Sequence, residues 1–137
     1  MTGQDRSARD AAQRREENKR IVLAFYEQGL ARRNFEAARQ YLHPRYTQHN
    51  PMVADGVEGF KAFLEFLREH YAGAKSEIRR VFVDGDHVIL HVHVVTGPDD
   101  PGLAVVDIFR VEDGKIIEHW DVVQTIPAEA ANPNGML

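Results

Sequence analysis

The sequence predicts an α+β domain, with three helices first and then a long antiparallel meander that packs against them as a curved sheet. Three observations carry this. Apolar residues recur at three- and four-residue spacing as far as about Tyr71, and at two-residue spacing after Gly73. Asp84-Gly85-Asp86 and Glu112-Asp113-Gly114 place tight turns between the alternating segments. The chain has 137 residues, 43% hydrophobic and 28% charged, which suits one globular domain, here read as residues 14–127.

Residues 1–13 carry no core-forming side chains and are expected to be an irregular lead-in or a frayed extension of the first helix. From about Arg14 to Ala31, Ile21, Val22, Phe25, Tyr26 and Leu30 line one face of a helix. Asn34 can cap a short second helix that buries Phe35, Ala38 and Leu42 and stops at Pro44. The stretch from Arg45 to Gly56 reads as irregular. A third helix, about Val57 to Tyr71, is capped by Asp55 and presents Phe60, Phe63, Leu64 and Leu67. Strands are expected at Ile78 to Val83, His87 to Thr96, Leu103 to Val111 and Ile116 to Ile126, with residues 128–137 irregular.

Composition removes several functions. A formal net charge of −4 lacks the basic excess that neutralises phosphates, so nucleic acid is not an expected partner. The absence of Cys excludes disulfides, thiolate nucleophiles and Cys-ligated zinc. No apolar run approaches the roughly 20 residues that cross a bilayer. Met1 to Lys19 is polar and charged, and the expected location is the cytoplasm.

The last hairpin allows a register argument. A three-residue loop at Glu112-Asp113-Gly114 would set Val111 opposite Lys115, Asp107 opposite His119 and Val105 opposite Asp121. Asp107, His119 and Asp121 would then share a face, with Trp120 on the other. On the second strand His91 and His93 alternate with the apolar row Val88, Leu90, Val92 and Val94. If the histidine row faces the hollow of the sheet, His91 and His93 join the three residues above, and Tyr46, His49 and Asn50 close the cavity from the loop. The apolar row would then need a partner subunit to cover it. A sheltered carboxylate has its pKa raised toward neutrality and can exchange protons with a carbon acid. A Tyr hydroxyl or neutral imidazole can steady a developing enolate. Each polar residue also has a purely structural explanation, since buried charges need partners whether or not chemistry occurs.

Tyr46-Thr47-Gln48-His49-Asn50-Pro51, Val106-Asp107-Ile108-Phe109-Arg110 and the run Asp113-Gly114-Lys115 through Glu118-His119-Trp120-Asp121 to Gln124 together resemble SnoaL-like proteins of the nuclear transport factor 2-like superfamily. The resemblance covers about Glu16 to Pro127. It implies a cone-shaped α+β barrel with a pocket at its open end, often a homodimer through the sheet. It also implies cofactor-free acid/base chemistry such as the aldol closure of polyketide cyclases, with Asp121 in the proton-transferring position. The histidines expected in the cavity (His49, His91, His93 and His119) suit a small oxygenated ligand better than a polycyclic one.

The leading expectation is therefore an aldol cyclase, isomerase or lyase acting on a small carbonyl compound, needing no cofactor or metal. Asp121 would move the proton, with His119 and Asp107 as a supporting dyad. Tyr46, His49, Asn50, His91 and His93 would contact substrate. Two alternatives stand beside it: a dimeric ligand-binding module without turnover, and a metal-dependent enzyme using His91 and His93.

Overall fold

Thr2 and Asp5 close a capping box at the start of the first helix: Asp5 N–H donates to Thr2 Oγ1 at 3.2 Å and Thr2 N–H to Asp5 Oδ2 at 3.2 Å. The computed structural model describes residues 2–137 and starts helix α1 at this box, Gly3–Tyr26. Residues 3–13 are thus helical, continuous with the first helix, so of the two readings left open by the sequence it is the irregular lead-in that fails. They bury almost nothing, but the cap and a run rich in Ala, Arg and Gln favour helix without a core contact. The buried stripe is Ile21, Val22, Phe25 and Tyr26, as its spacing predicts.

The helix widens into a π-turn at Glu27–Ala31. Gly29 is needed there, because a Cβ would stand 2.9 Å from Cζ of Phe60 on the third helix. Arg33 follows with φ 56°; its guanidinium donates to Leu67 O at 2.7 Å, while Arg68 returns a bond to Arg33 O. This reciprocal tie offsets a left-handed backbone that costs a non-glycine residue about 1 kcal/mol. Asn34 caps the short helix α2, Phe35–Ala38, as expected, and a 3-10 turn at Arg39–Tyr41 follows.

The chain then enters strand β1, Leu42–Gln48, where the sequence suggested irregular structure. β1 pairs in parallel with the last strand at the edge of the sheet, and its register slips between Leu42 and Thr47. An edge position with a slipped register tolerates Pro44, which a central strand would not. Asp55 Oδ1 accepts Gly56 N–H and also Gln48 N–H, so one carboxylate caps helix α3, Gly56–His70, and anchors the end of β1.

Strands β2 (Lys75–Asp84), β3 (His87–Val95), β4 (Leu103–Glu112) and β5 (Lys115–Thr125) form the expected antiparallel meander. The sheet order is β1-β5-β4-β3-β2, so three helices pack on a five-stranded mixed sheet. The inner row is the aliphatic one: Val88, Leu90 and Val92 are 0% exposed. Phe25 of α1 joins the layers, with ring centroids 5.0 Å from Phe60 and 5.9 Å from Phe109 of β4. This corrects the assignment of the β3 faces. Three fully buried aliphatic side chains gain about 1.5–3 kcal/mol each, which outweighs any preference for sheltering imidazoles. The helices, and no partner, cover that row.

The β4–β5 turn also differs from expectation. Glu112 pairs with Lys115 across a two-residue turn, in which Asp113 and Gly114 both have positive φ (52° and 73°). The register then shifts by one residue, and Asp107 pairs with Asp121 and Phe109 with His119. A two-residue turn plus one bulged residue keeps the parity of a three-residue loop. The predicted partners are therefore wrong, while the predicted common face is right.

Candidate active site

The parity of β4 and β5 directs Asp107, His119 and Asp121 into the concave side of the sheet, beside Leu90 and Phe109. The parallel pairing of β1 brings Gln48 level with His119. Alternation along β1 then sends Tyr46 and Gln48 inward and His49 outward.

A continuous hydrogen-bonded chain results. His119 Nε2 lies 2.8 Å from Asp107 Oδ1, and His119 Nδ1 lies 2.7 Å from Gln48 Oε1. Gln48 Nε2 donates to the Tyr46 hydroxyl at 3.1 Å, and Asn50 N–H donates to Gln48 Oε1 at 3.0 Å. Asn50 Nδ2 donates to both Asp121 oxygens at 2.9 and 2.8 Å, its amide oriented by Met52 N–H on Oδ1. Asp107 and His119 are each only 7% exposed and Tyr46 4%, whereas Asp121 and Asn50 are half-buried. The Asp121 end of the cluster is therefore its more exposed one, beside Val123 at 47%. Hollows of about 230 Å³ between Phe35 and Arg68 and about 530 Å³ along Ala12 to Arg20 lie elsewhere on the surface.

Burial pushes the Asp107 carboxyl above the usual range, against the favourable contact with His119; the nearby Asp121 charge adds to the rise. No Lys or Arg among the described residues makes an ion pair with Asp107 or Asp121. Burial, with Asp107 close by, also raises Tyr46 and Tyr26 well above an ordinary phenol, so both remain protonated donors.

Five of the sequence-predicted site residues thus converge: Tyr46, Asn50, Asp107, His119 and Asp121. Three do not. His49 lies on the outer face, 2.7 Å from Glu118 and stacked on Trp120 at 5.0 Å with the rings 3° from parallel. His91 and His93 are also on the outer face, at Arg80 (3.0 Å) and at the Pro101 carbonyl (2.8 Å). Neither belongs to a group of three potential metal ligands among the described residues, which removes the geometric basis for a metal centre at these two positions. Donor atoms of Asp107, His119 and Asp121 do lie within 4.8 Å of one another and could hold a divalent cation, as could His43, Glu112 and Asp113 at the surface. The residue that sequence reasoning missed is Gln48. Its signal was the alternation Tyr46, Gln48, Asn50, legible only once β1 is recognised as a strand.

A mixed curved sheet wrapped on three helices is a small α+β domain with the nuclear transport factor 2-like fold. The SnoaL-like domain profile matches residues 22–119, and the chain belongs to that family. Solved structures with the same fold include TsrD from Streptomyces laurentii (21% identity, 80% of this chain and 89% of that one, TM-score 0.66). A candidate SnoaL-like polyketide cyclase from Jannaschia sp. CCS1 is similar at 21% identity over 80% of this chain and 86% of its own, TM-score 0.67. A candidate ketosteroid isomerase from Kribbella flavida DSM 17836 shares 21% identity over 88% and 84%, TM-score 0.67. No curated protein sequence matches the chain.

Proposed function

We propose that the chain is a cofactor-independent acid/base enzyme, of aldol cyclase, isomerase or lyase type, acting on a small carbonyl-containing compound. The observation that supports it is the inward cluster of Asp121, Asp107 and His119, with donor atoms within 4.8 Å of one another. Asp121, held open by Asn50 at the accessible end, takes a proton from the carbon next to the carbonyl. The Tyr46 hydroxyl accepts from Gln48, and no described residue accepts its own proton, so it can donate to the developing oxyanion. The proton on Asp121 then returns to carbon or oxygen, which balances an isomerisation or an aldol closure. The Asp107–His119 pair behind it supplies a second exchangeable proton.

The test uses small β-dicarbonyl and α,β-unsaturated carbonyl compounds in D₂O, with loss of their α-proton signals followed by NMR. Catalysed exchange is expected, and Asp121→Asn should slow it about 100-fold or more. Exchange by no compound, or undiminished exchange in the variant, refutes the reading. One feature favours the binding-module alternative: the Asp107–His119 pair is nearly closed off. Compounds that raise the melting temperature yet are recovered without deuterium would establish it.

We also propose a homodimer through the outer sheet face, where Phe82 is 56% and Val122 68% exposed beside half-buried Ile89, Ile108 and Trp120. Light scattering should return twice the chain mass, and a charged residue at Phe82 or Val122 should return it to one. A cytoplasmic location is proposed on the same footing; no described helix is long and apolar enough to cross a membrane.

A further inference from the structure

Gln48 is bonded on three sides, and the identity of each neighbour fixes where protons sit. The Asn50 backbone N–H can only donate, so the atom it meets at 3.0 Å must be the Gln48 carbonyl oxygen. That same oxygen stands 2.7 Å from His119 Nδ1. A carbonyl oxygen cannot donate, so Nδ1 carries a hydrogen. Turning the amide over would set its NH₂ group against the Asn50 N–H.

A neutral imidazole holds one ring hydrogen. With that hydrogen on Nδ1, Nε2 presents a lone pair to Asp107 Oδ1 at 2.8 Å. Two lone pairs at that distance need a proton between them. The pair is then a carboxylic acid donating to a neutral ring, or a carboxylate facing an imidazolium. Both forms have net charge zero and both hold one proton on the Asp107–His119 line. Without the Gln48 acceptor, the neutral ring could carry its hydrogen on Nε2 and donate it to ionised Asp107. That arrangement has one proton fewer and leaves a net negative charge near Asp121.

We infer that Gln48 is a positioning residue: it locks neutral His119 as the Nδ1–H tautomer and so makes the buried Asp107–His119 pair keep one transferable proton. Asn50 serves both halves of the site, its backbone orienting Gln48 and its side chain orienting Asp121. The importance of this proton in turnover rests on the acid/base function proposed above, but the tautomer is observable without any substrate.

The experiment is a long-range ¹H–¹⁵N correlation spectrum of ¹⁵N-histidine-labelled protein, with α-proton exchange measured alongside. In the wild type Nδ1 of His119 should appear protonated. In Gln48→Leu a neutral ring should carry its hydrogen on Nε2, whereas Gln48→Glu, which retains an acceptor oxygen, should keep it on Nδ1. Exchange should fall about 10-fold or more in the Leu variant and recover in the Glu variant. A neutral wild-type ring with its hydrogen on Nε2 overturns the inference, and that spectrum needs no variant to fold. An unchanged tautomer in folded Gln48→Leu also overturns it, as does a switched tautomer with unchanged exchange. The expected tautomers together with no exchange by the wild type support the positioning of His119 and refute the acid/base function alone.

Discussion

The two faces of the β3–β5 sheet carry the same residue type in opposite circumstances. Inside, His119 is enclosed against Phe109, with ring centroids 4.7 Å apart, and bonded to Asp107 and Gln48. Outside, His49, His91 and His93 are partly in water, beside Glu118, Arg80 and a backbone carbonyl. The outer ion pairs include Arg110 to Glu118 at 2.9 Å; burial pushes Glu118 up, but the hydrogen bonds from His49 and Arg110 win and hold it below its usual value. Solvent screens such pairs, so they contribute little to stability. The lesson is that partner and enclosure, more than residue type, decide which imidazole is drawn into a buried hydrogen-bonded network.

The largest expected effect breaks the inner side of this comparison. His119→Ala leaves Asp107 enclosed without its partner and removes the contact with Phe109, and should cost about 3 kcal/mol in urea unfolding. His49→Ala and His91→Ala, at the outer face, should each stay within about 0.5 kcal/mol. Comparable losses from the two faces would erase the distinction.

Asp107→Asn sharpens it in an intermediate way. The folded-state pKa of Asp107 lies above the unfolded value, so its contribution is fully present below about pH 4 and is lost as pH rises through the folded-state value. The amide does not titrate, and its NH₂ can donate to His119 Nε2. The variant should therefore melt higher than wild type at neutral pH, with the advantage closing as pH falls toward about 4. A lower melting temperature at neutral pH would mean that ionised Asp107 stabilises the fold. The smallest effect belongs to Glu118→Gln, whose change in melting temperature should shrink further as salt rises from about 0.05 to 0.5 M.

The sequence revealed what depends on local pattern. Helix faces, the Asn34 and Asp55 caps and the meander follow from periodicity and turn residues. The shared face of Asp107, His119 and Asp121 was legible because an error in loop length and an unseen bulge preserve parity. The faces of β3 were not legible: its two alternating rows look equally regular, and only packing against Phe25 and its neighbours shows which one is covered. Nor was β1, since its pairing is parallel, slipped and made with residues about 70 positions away. With it went the inward direction of Gln48 and the outward direction of His49.

That distant pairing has a consequence for how the protein comes into being. Gln48 and Asn50 reach His119 and Asp121 across a sequence separation of 71 residues, and the separate hairpins bring neither pair together. Contacts of such long range close slowly, after the entropy of the intervening loop has been lost. The Gln48–His119 contact thus belongs with the long-range ones, such as Phe25 on Phe109, that can form only once β1 and α1 have met the C-terminal strands.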